Sequence, residues 1–293
     1  MFIKSLKNAS LHSSINTSKN TKNMLTRKIA IIGAGNLGSS MARGLIEKNA
    51  TNPKNLILTN IDLDILKQLK EELHVQVTSD NREAVREADL IFISVKPWIA
   101  NDILEEIKPE LNPDKHLVIS AVSGLTIQQI KELIGDIPTA RAMPNTAMSV
   151  NESMTAICFD GNEGTYKQDV LDIFSYLGES FVIPENQMAA ATVLASCGIA
   201  YALRFMRAAA TGGIEIGFNS ELSHQIAAQI MFGAAKLIKT TRHHPEREID
   251  KVTTPMGVTI SGLNEMEQKG FSASVVQGVR KSFKKIHEAL EED

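Results

Sequence analysis

The residues that could do chemistry begin with three glycines. Gly33, Gly35 and Gly38 lie in the run Lys28-Ile29-Ala30-Ile31-Ile32-Gly33-Ala34-Gly35-Asn36-Leu37-Gly38. Such spacing suits a phosphate-binding turn between a buried strand and a helix. The first glycine permits the tight turn, the second lets a pyrophosphate approach the backbone, and the third lets the helix lie close on the strand. Free N–H groups and the positive end of the helix dipole then hold the anion. Gly33, Ala34, Gly35, Asn36, Leu37 and Gly38 are therefore candidate dinucleotide ligands. The competing reading is a glycine turn that only closes a βα unit. An NAD-preferring site places an acidic residue about 20 residues further on, against the ribose hydroxyls. Asn60 stands there instead, and it accepts a phosphorylated ribose without repulsion. The spacing favours NADPH, with NADH as the alternative.

Other candidates carry less. Lys96 precedes Pro97 at a strand end facing the same ligand, where a solvated lysine is the ordinary alternative. Thr259 stands at a helix start and could simply cap it. His243 and His244, with Glu246 and Glu248 nearby, match no zinc spacing, so no metal is expected. Lys281, Lys284 and Lys285 read as a solvated helix face. The two cysteines, Cys158 and Cys197, sit in apolar surroundings and read as reduced thiols of a cytoplasmic protein.

The elements that must position these residues alternate. Strands are expected at Ile29–Ile32, Leu56–Asn60, Val75–Val77, Leu90–Val95, His116–Ala121, Thr139–Met143, Thr155–Phe159 and Ser180–Ile183. Helices are expected after the glycines and at Leu63–Leu73, Asn81–Glu87, Ile99–Lys108, Ile127–Leu133 and Gln168–Tyr176. This alternation predicts an α/β fold with a doubly wound, mainly parallel sheet. Ligands then collect at the carboxyl ends of the strands: Gly33–Gly38, Asn60, Val95–Pro97, Ala121–Ser123 and Met143–Thr146.

Beyond Pro184 the pattern turns all-helical. Glu185–Thr211 is expected to be one long Ala-rich helix, apolar nearly all round and hence buried. Helices Glu221–Lys239 (capped by Ser220), Val258–Gly270 and Ala273–Leu290 follow, with His243–Pro255 a polar loop. So apolar a helix lacks covering surface in its own chain, which implies a second subunit. The expected division is a tail at 1–26, a dinucleotide-binding domain at 27–184 and a helical domain at 185–293. The first 26 residues contain no Asp or Glu, as in a mitochondrial transit peptide, but also no Arg and few apolar residues, and read instead as a disordered tail or an upstream start before Met24. A net charge of −3 advertises no basic surface for nucleic acid. No uninterrupted apolar run reaches about 18 residues, so no membrane span is expected.

Five segments in order resemble the pyrroline-5-carboxylate reductase family. They are Gly33-Ala34-Gly35-Asn36-Leu37-Gly38; Val95-Lys96-Pro97; Arg141-Ala142-Met143-Pro144-Asn145-Thr146; Gly198 with Ala200-Tyr201; and Pro255-Met256-Gly257-Val258-Thr259-Ile260 followed by Gly262-Leu263. The resemblance implies an N-terminal Rossmann domain and a C-terminal helical domain that intertwines with a partner's, giving a homodimer that can assemble into a higher oligomer of dimers. It implies NAD(P)H-dependent reduction of the cyclic imine 1-pyrroline-5-carboxylate to L-proline, the last step of proline biosynthesis.

Carried over by position, the resemblance puts the cofactor on Gly33 to Gly38, Asn60, Asn81, Val95, Lys96 and Pro97. Ala121, Val122 and Ser123 would lie near the nicotinamide, with Met143 and Asn145 beside the reacting ring. Backbone N–H groups of Gly257, Val258 and Thr259 would hold the substrate carboxylate, and the Thr259 hydroxyl would help protonate the imine nitrogen. The chain departs from the family pattern on the substrate side, at Ile199, Arg242, Met256 and Val258. Three alternatives remain, the first being a related imine as substrate. A 3-hydroxy-acid oxidoreductase would need a lysine on the first helix after the Rossmann domain, which has Arg204 and Arg207 but no lysine. A dinucleotide-binding regulator would bind cofactor without turnover.

Overall fold

The computed structural model describes residues 24–161 and 166–291. Most of the expected tail, residues 1–23, lies outside these. Leu25, counted in the tail, belongs to the folded body: it forms a parallel bridge with Thr51, and its N–H donates to Ala50 O at 2.7 Å.

The strands are β1 Ile29–Ile32, β2 Leu56–Thr59, β3 Gln76–Thr78, β4 Leu90–Ile93, β5 Leu117–Ser120, β6 Thr139–Met143, β7 Ser153–Phe159 and β8 Gly178–Val182. They form one eight-stranded sheet in the order β3-β2-β1-β4-β5-β6-β7-β8. Neighbours pair in parallel except β6 and β7, which are antiparallel. The connection from Pro144 to Glu152 is too short for the crossover that a parallel pair needs.

Alternation along β1 divides the core. Ile29 and Ile31 face one layer with Met41, Leu45, Leu58, Phe92 and Phe174, while Ala30 and Ile32 face the other with Ile91, Ile93, Leu104 and Ile130. Three helices, α1 Asn36–Glu47, α2 Leu63–Leu73 and α6 Tyr166–Leu177, supply the first layer. Their counterparts α3 Asn81–Glu87, α4 Ala100–Ile107 and α5 Ile127–Ile134 supply the second. Both faces are covered, so the strands read as unbroken apolar runs. Thr126 starts α5 with a capping box, its hydroxyl taking the Gln129 N–H while Gln129 returns to the Thr126 N–H.

The C-terminal part is helical: α7 Met188–Ala191, α8 Gly198–Glu215, α9 Ser220–Thr241, α10 Pro245–Lys251, α11 Val258–Gln268 and α12 Phe271–Glu291. Three features differ from expectation. The long helix opens with a 3₁₀ turn at Glu185–Gln187 and contains a π-helical turn at Thr192–Cys197. The cap of α9 is Asn219, whose side chain accepts the Leu222 N–H, rather than Ser220. The loop after α9 contains α10, which has Pro245 in its first turn, a His244 cap and early Glu246 and Glu248. Without an apolar stripe, α10 left no periodic signal.

Contacts divide the chain into two compact units, one extending through Ser196 and including the segment from Lys285, the other Cys197–Lys284. In the second, a Cβ on Gly213 would fall 2.9 Å from Ser223 Oγ, so α8 and α9 approach closely there. Phe205 meets Phe271 edge-on, and Tyr201 and Ser282 share a hydroxyl hydrogen bond of 2.7 Å. Within α8, however, only Ala210 is fully buried. Leu203 and Ile214 on α8, and Ile230, Phe232 and Leu237 on α9, are exposed. The expectation of a buried helix therefore fails for the chain alone. The helical stretch Glu185–Glu215 is also long and apolar enough, by length and composition, to cross a membrane. Counting uninterrupted apolar residues missed this because Arg204 and Arg207 break the run without lowering its mean much.

Candidate active site

β1 and β4 are neighbours, yet the chain winds from them toward opposite edges. Their carboxyl ends form the switch point at which such sheets bind ligands. The three glycines there serve different ends. Gly33 has φ +90°, and a Cβ on it would lie 2.7 Å from Val95 Cγ1. On Gly38 a Cβ would sit 2.5 Å from Gly33 O and 2.8 Å from Ser94 Oγ. Around Gly35 nothing lies within 4 Å of the added atom. Two glycines thus permit close packing, and the third opens a cradle. The first bond inside α1 runs from Ser39 N–H to Gly35 O at 2.9 Å, and no acidic residue occupies the first turn. The N–H groups of Asn36, Leu37 and Gly38 consequently have no partner within the helix and suit an anion.

A chain of hydrogen bonds holds this turn. Gly33 N–H and Ala34 N–H donate to Thr59 O at 3.2 and 2.7 Å, and Ser94 Oγ donates to Gly33 O at 2.8 Å. The Thr59 hydroxyl donates to Asn81 Oδ1 at 2.6 Å, and Asn81 Nδ2 donates to the Glu106 carboxylate at 3.1 Å. Asn81 is thereby tied to the glycine turn. Thr59, Ser94 and Glu106 were not singled out from sequence, where polar residues at strand ends and on helix surfaces carry no distinguishing pattern.

The other strand ends follow in sheet order. Asn60 is half-buried, and its Oδ1 accepts Asp62 N–H at 3.0 Å. The Asp62 carboxylate caps α2 by accepting the Asp64 and Ile65 N–H groups. Val95 packs on Gly33, whereas Lys96 and Pro97 are exposed and Lys96 Nζ lies 5.9 Å from the centre of the Trp98 ring. Ala121 N–H donates to Ile93 O at 2.9 Å; Ala121 and Val122 are buried, and Ser123 is half-buried. Parallel pairing brings these ends and the glycine turn onto one sheet edge.

β6 ends beside them. Met143 is only 3% exposed and packs with Ile127, Ala156, Cys158, Met188 and Ala191. Its side chain is therefore part of a core in the single chain. Arg141 is buried, and its guanidinium donates to Glu185 at 2.9 Å. The same Glu185 oxygen accepts the Ile127 N–H at 2.7 Å, tying β6 and α5 to the start of the helical region. Burial pushes the nearby Cys158 thiol up to about 11, so it stays protonated.

Gly257, Val258 and Thr259 lie in the second unit. Gly257 is the N-cap of α11, and a Cβ on it would come within 2.5 Å of Thr254 Oγ1. Val258 is 91% exposed, and Thr259 is exposed as the second helical residue. Since Gly257 is the cap, Thr259 is not, and its hydroxyl makes no hydrogen bond among the described residues. No cluster of metal-binding side chains occurs among them either. His243 Nδ1 instead lies 2.6 Å from the Glu248 carboxylate, whose acidity Lys251 and then His243 increase.

Two family models match separate stretches of the chain. A family model described as pyrroline-5-carboxylate reductase dimerisation matches residues 185–289. Another, described as NADP oxidoreductase coenzyme F420-dependent, matches residues 28–124. Among solved structures, pyrroline carboxylate reductase of Plasmodium falciparum with NADP bound is 29% identical, with a TM-score of 0.83, and the match covers 92% of this chain and 100% of that one. Pyrroline-5-carboxylate reductase 1 of Dictyostelium discoideum is 40% identical over 86% of this chain, which spans 48% of that relative's length. Pyrroline-5-carboxylate reductase 2 of the same organism is 41% identical over 91% of this chain and 93% of its own. With this identity over nearly the whole length of both chains, the chain belongs to the pyrroline-5-carboxylate reductase family.

Proposed function

We propose that the chain reduces the cyclic imine 1-pyrroline-5-carboxylate to L-proline, preferring NADPH over NADH, and works as a homodimer. The observation that carries the reading is the open space over Gly35 between two close-packed glycines, in a chain of this family. A Cβ there meets no protein atom within 4 Å, and a side chain would fill the place of a pyrophosphate.

Bound NADPH would supply the hydride. The chain's own residues bind and orient. N–H groups of Asn36, Leu37 and Gly38 hold the pyrophosphate. Asn60 receives the phosphorylated ribose, while Asp62 caps α2. Val95, Lys96, Pro97, Asn81, Ala121, Val122 and Ser123 line the remainder of the cofactor groove, with Met143 toward the reacting ring. The first turn of α11 takes the substrate carboxylate on Gly257, Val258 and Thr259 N–H groups. The Thr259 hydroxyl, without a partner among the described residues, or a water it holds, places a proton at the imine nitrogen, because a protonated imine is the better hydride acceptor.

Residues 27–184 form the Rossmann domain in this reading and 185–293 the substrate and dimerisation domain. The exposed apolar face of α8 and α9 is covered by a second copy rather than by lipid, and dimers can assemble further. The enzyme is cytoplasmic, with no nucleic-acid partner. Steady-state rates test it, using pyrroline-5-carboxylate, a six-membered imine and a 2-carboxylate imine with each cofactor. The highest kcat/KM is expected for pyrroline-5-carboxylate with NADPH. Cofactor binding without turnover of any imine would point to a regulator. Turnover of 3-hydroxy acids alone would point to the other oxidoreductase class.

A further inference from the structure

We infer that Asn145 is a positioning residue, not a ligand of the cofactor: it clamps the end of β6 to the π-helical turn at Thr192–Cys197. The inference rests on the reading of the β5 and β6 ends as the nicotinamide side. Asn145 is 7% exposed. Its backbone N–H donates to Ser153 Oγ at 3.1 Å. Its Oδ1 accepts Ala147 N–H at 2.9 Å and so caps the 3₁₀ turn Thr146–Val150. Its Nδ2 donates to Ala195 O, also at 2.9 Å. The side chain thus spends its acceptor and a donor on the protein.

The partner of that donor is informative. A π turn inserts an extra residue into a helix, disturbs the regular ladder of carbonyls and N–H groups, and recurs at functional sites. Here a carbonyl of the wide turn accepts an amide from outside the helix. Losing that amide would leave a part-buried polar contact unmade. The clamp also has a geometric consequence. β6 pairs with β5 in the register Ser120↔Arg141. The residues just beyond, Met143 and Pro144, therefore stand next to Ala121–Ser123. Three hydrogen bonds on one residue fix where this strand end lies, and a displacement of about 1 Å at a reacting centre can cost roughly 100-fold in rate.

The test uses the full chain and two variants. Asn145→Asp keeps the acceptor for Ala147 but turns an oxygen toward the Ala195 carbonyl. Asn145→Ser keeps a capping oxygen but cannot reach Ala195. For each, NADPH affinity is measured by fluorescence titration, kcat and KM with pyrroline-5-carboxylate at saturating NADPH, and the melting curve. We expect kcat to fall about 100-fold in both while NADPH affinity stays near wild type and the protein remains folded at assay temperature. A large loss of NADPH affinity with kcat retained would make Asn145 a cofactor ligand and overturn the proposal. Lowered melting with wild-type kcat in the folded protein would make it purely structural and also overturn it. Should Asn145→Asp fail to fold, the kinetics of Asn145→Ser decide. A wild type without imine turnover would overturn the parent reading, and this one with it, before any variant is compared.

Discussion

Gly35 and Gly38 stand three residues apart and face opposite demands. Gly38 has Gly33 O and Ser94 Oγ where a side chain would go, whereas Gly35 has open space. Gly35→Val should therefore melt near wild type yet lose NADPH binding, and Gly38→Val should be destabilised by about 1–3 kcal/mol through overpacking. Melting curves beside a cofactor titration separate the two; unchanged NADPH affinity in a folded Gly35→Val protein would end the cradle assignment. His116 offers a pH test. Its Nδ1 accepts Asn112 N–H at 2.9 Å, and burial, then the Lys115 charge, hold the imidazole below its ordinary value of 6.5. The unfolded chain takes up this proton first. The contribution to stability is complete above about 6.5 and is lost as pH falls from there toward the folded value. His116→Asn, which retains an acceptor, should flatten the fall in melting temperature between about pH 7 and 5. An unchanged slope would show that other groups govern it.

Among the elements, α11 decides how Thr259 is to be tested. Because Gly257 occupies the cap, loss of the Thr259 hydroxyl should leave the melting curve nearly unchanged. If that hydroxyl assists protonation, Thr259→Val should lower kcat roughly 10- to 100-fold at neutral pH, and the deficit should shrink in acid as substrate arrives protonated. A wild-type pH–rate profile would leave ordered water as the donor, and a raised KM with intact kcat would limit Thr259 to binding. Most elements were legible because their signals are local. Thr139–Met143 and Leu63–Leu73 stand where the sequence puts them, being bounded apolar patterns with clear ends. The π turn at Thr192–Cys197 was not legible, since an inserted residue changes hydrogen bonding without changing composition.

At the scale of the molecule, the exposed apolar residues of α8 and α9 demand cover. Light scattering at low micromolar concentration should report a dimer or a multiple of it; a folded, active monomer would refute that. A chain beginning at Met24 should match the full-length protein in melting temperature and activity, since among the described residues pairing to the sheet-bearing body begins at Leu25. A large loss of either would show that the preceding residues pack. The glycine turn, the two-layered α/β pattern and the change to helices after Pro184 were set by the sequence itself, because each depends on residues close together in the chain. Tertiary structure alone decided the rest. Thr59, Asn81 and Glu106 come from three different elements, and only the winding of the sheet brings them into one hydrogen-bonded chain. Likewise Asn145 and Ala195 are 50 positions apart, and no spacing rule links a strand end to a carbonyl in a distant helix. Side-chain hydrogen bonds act over about 3 Å whatever the separation along the chain, so their partners are chosen by the fold.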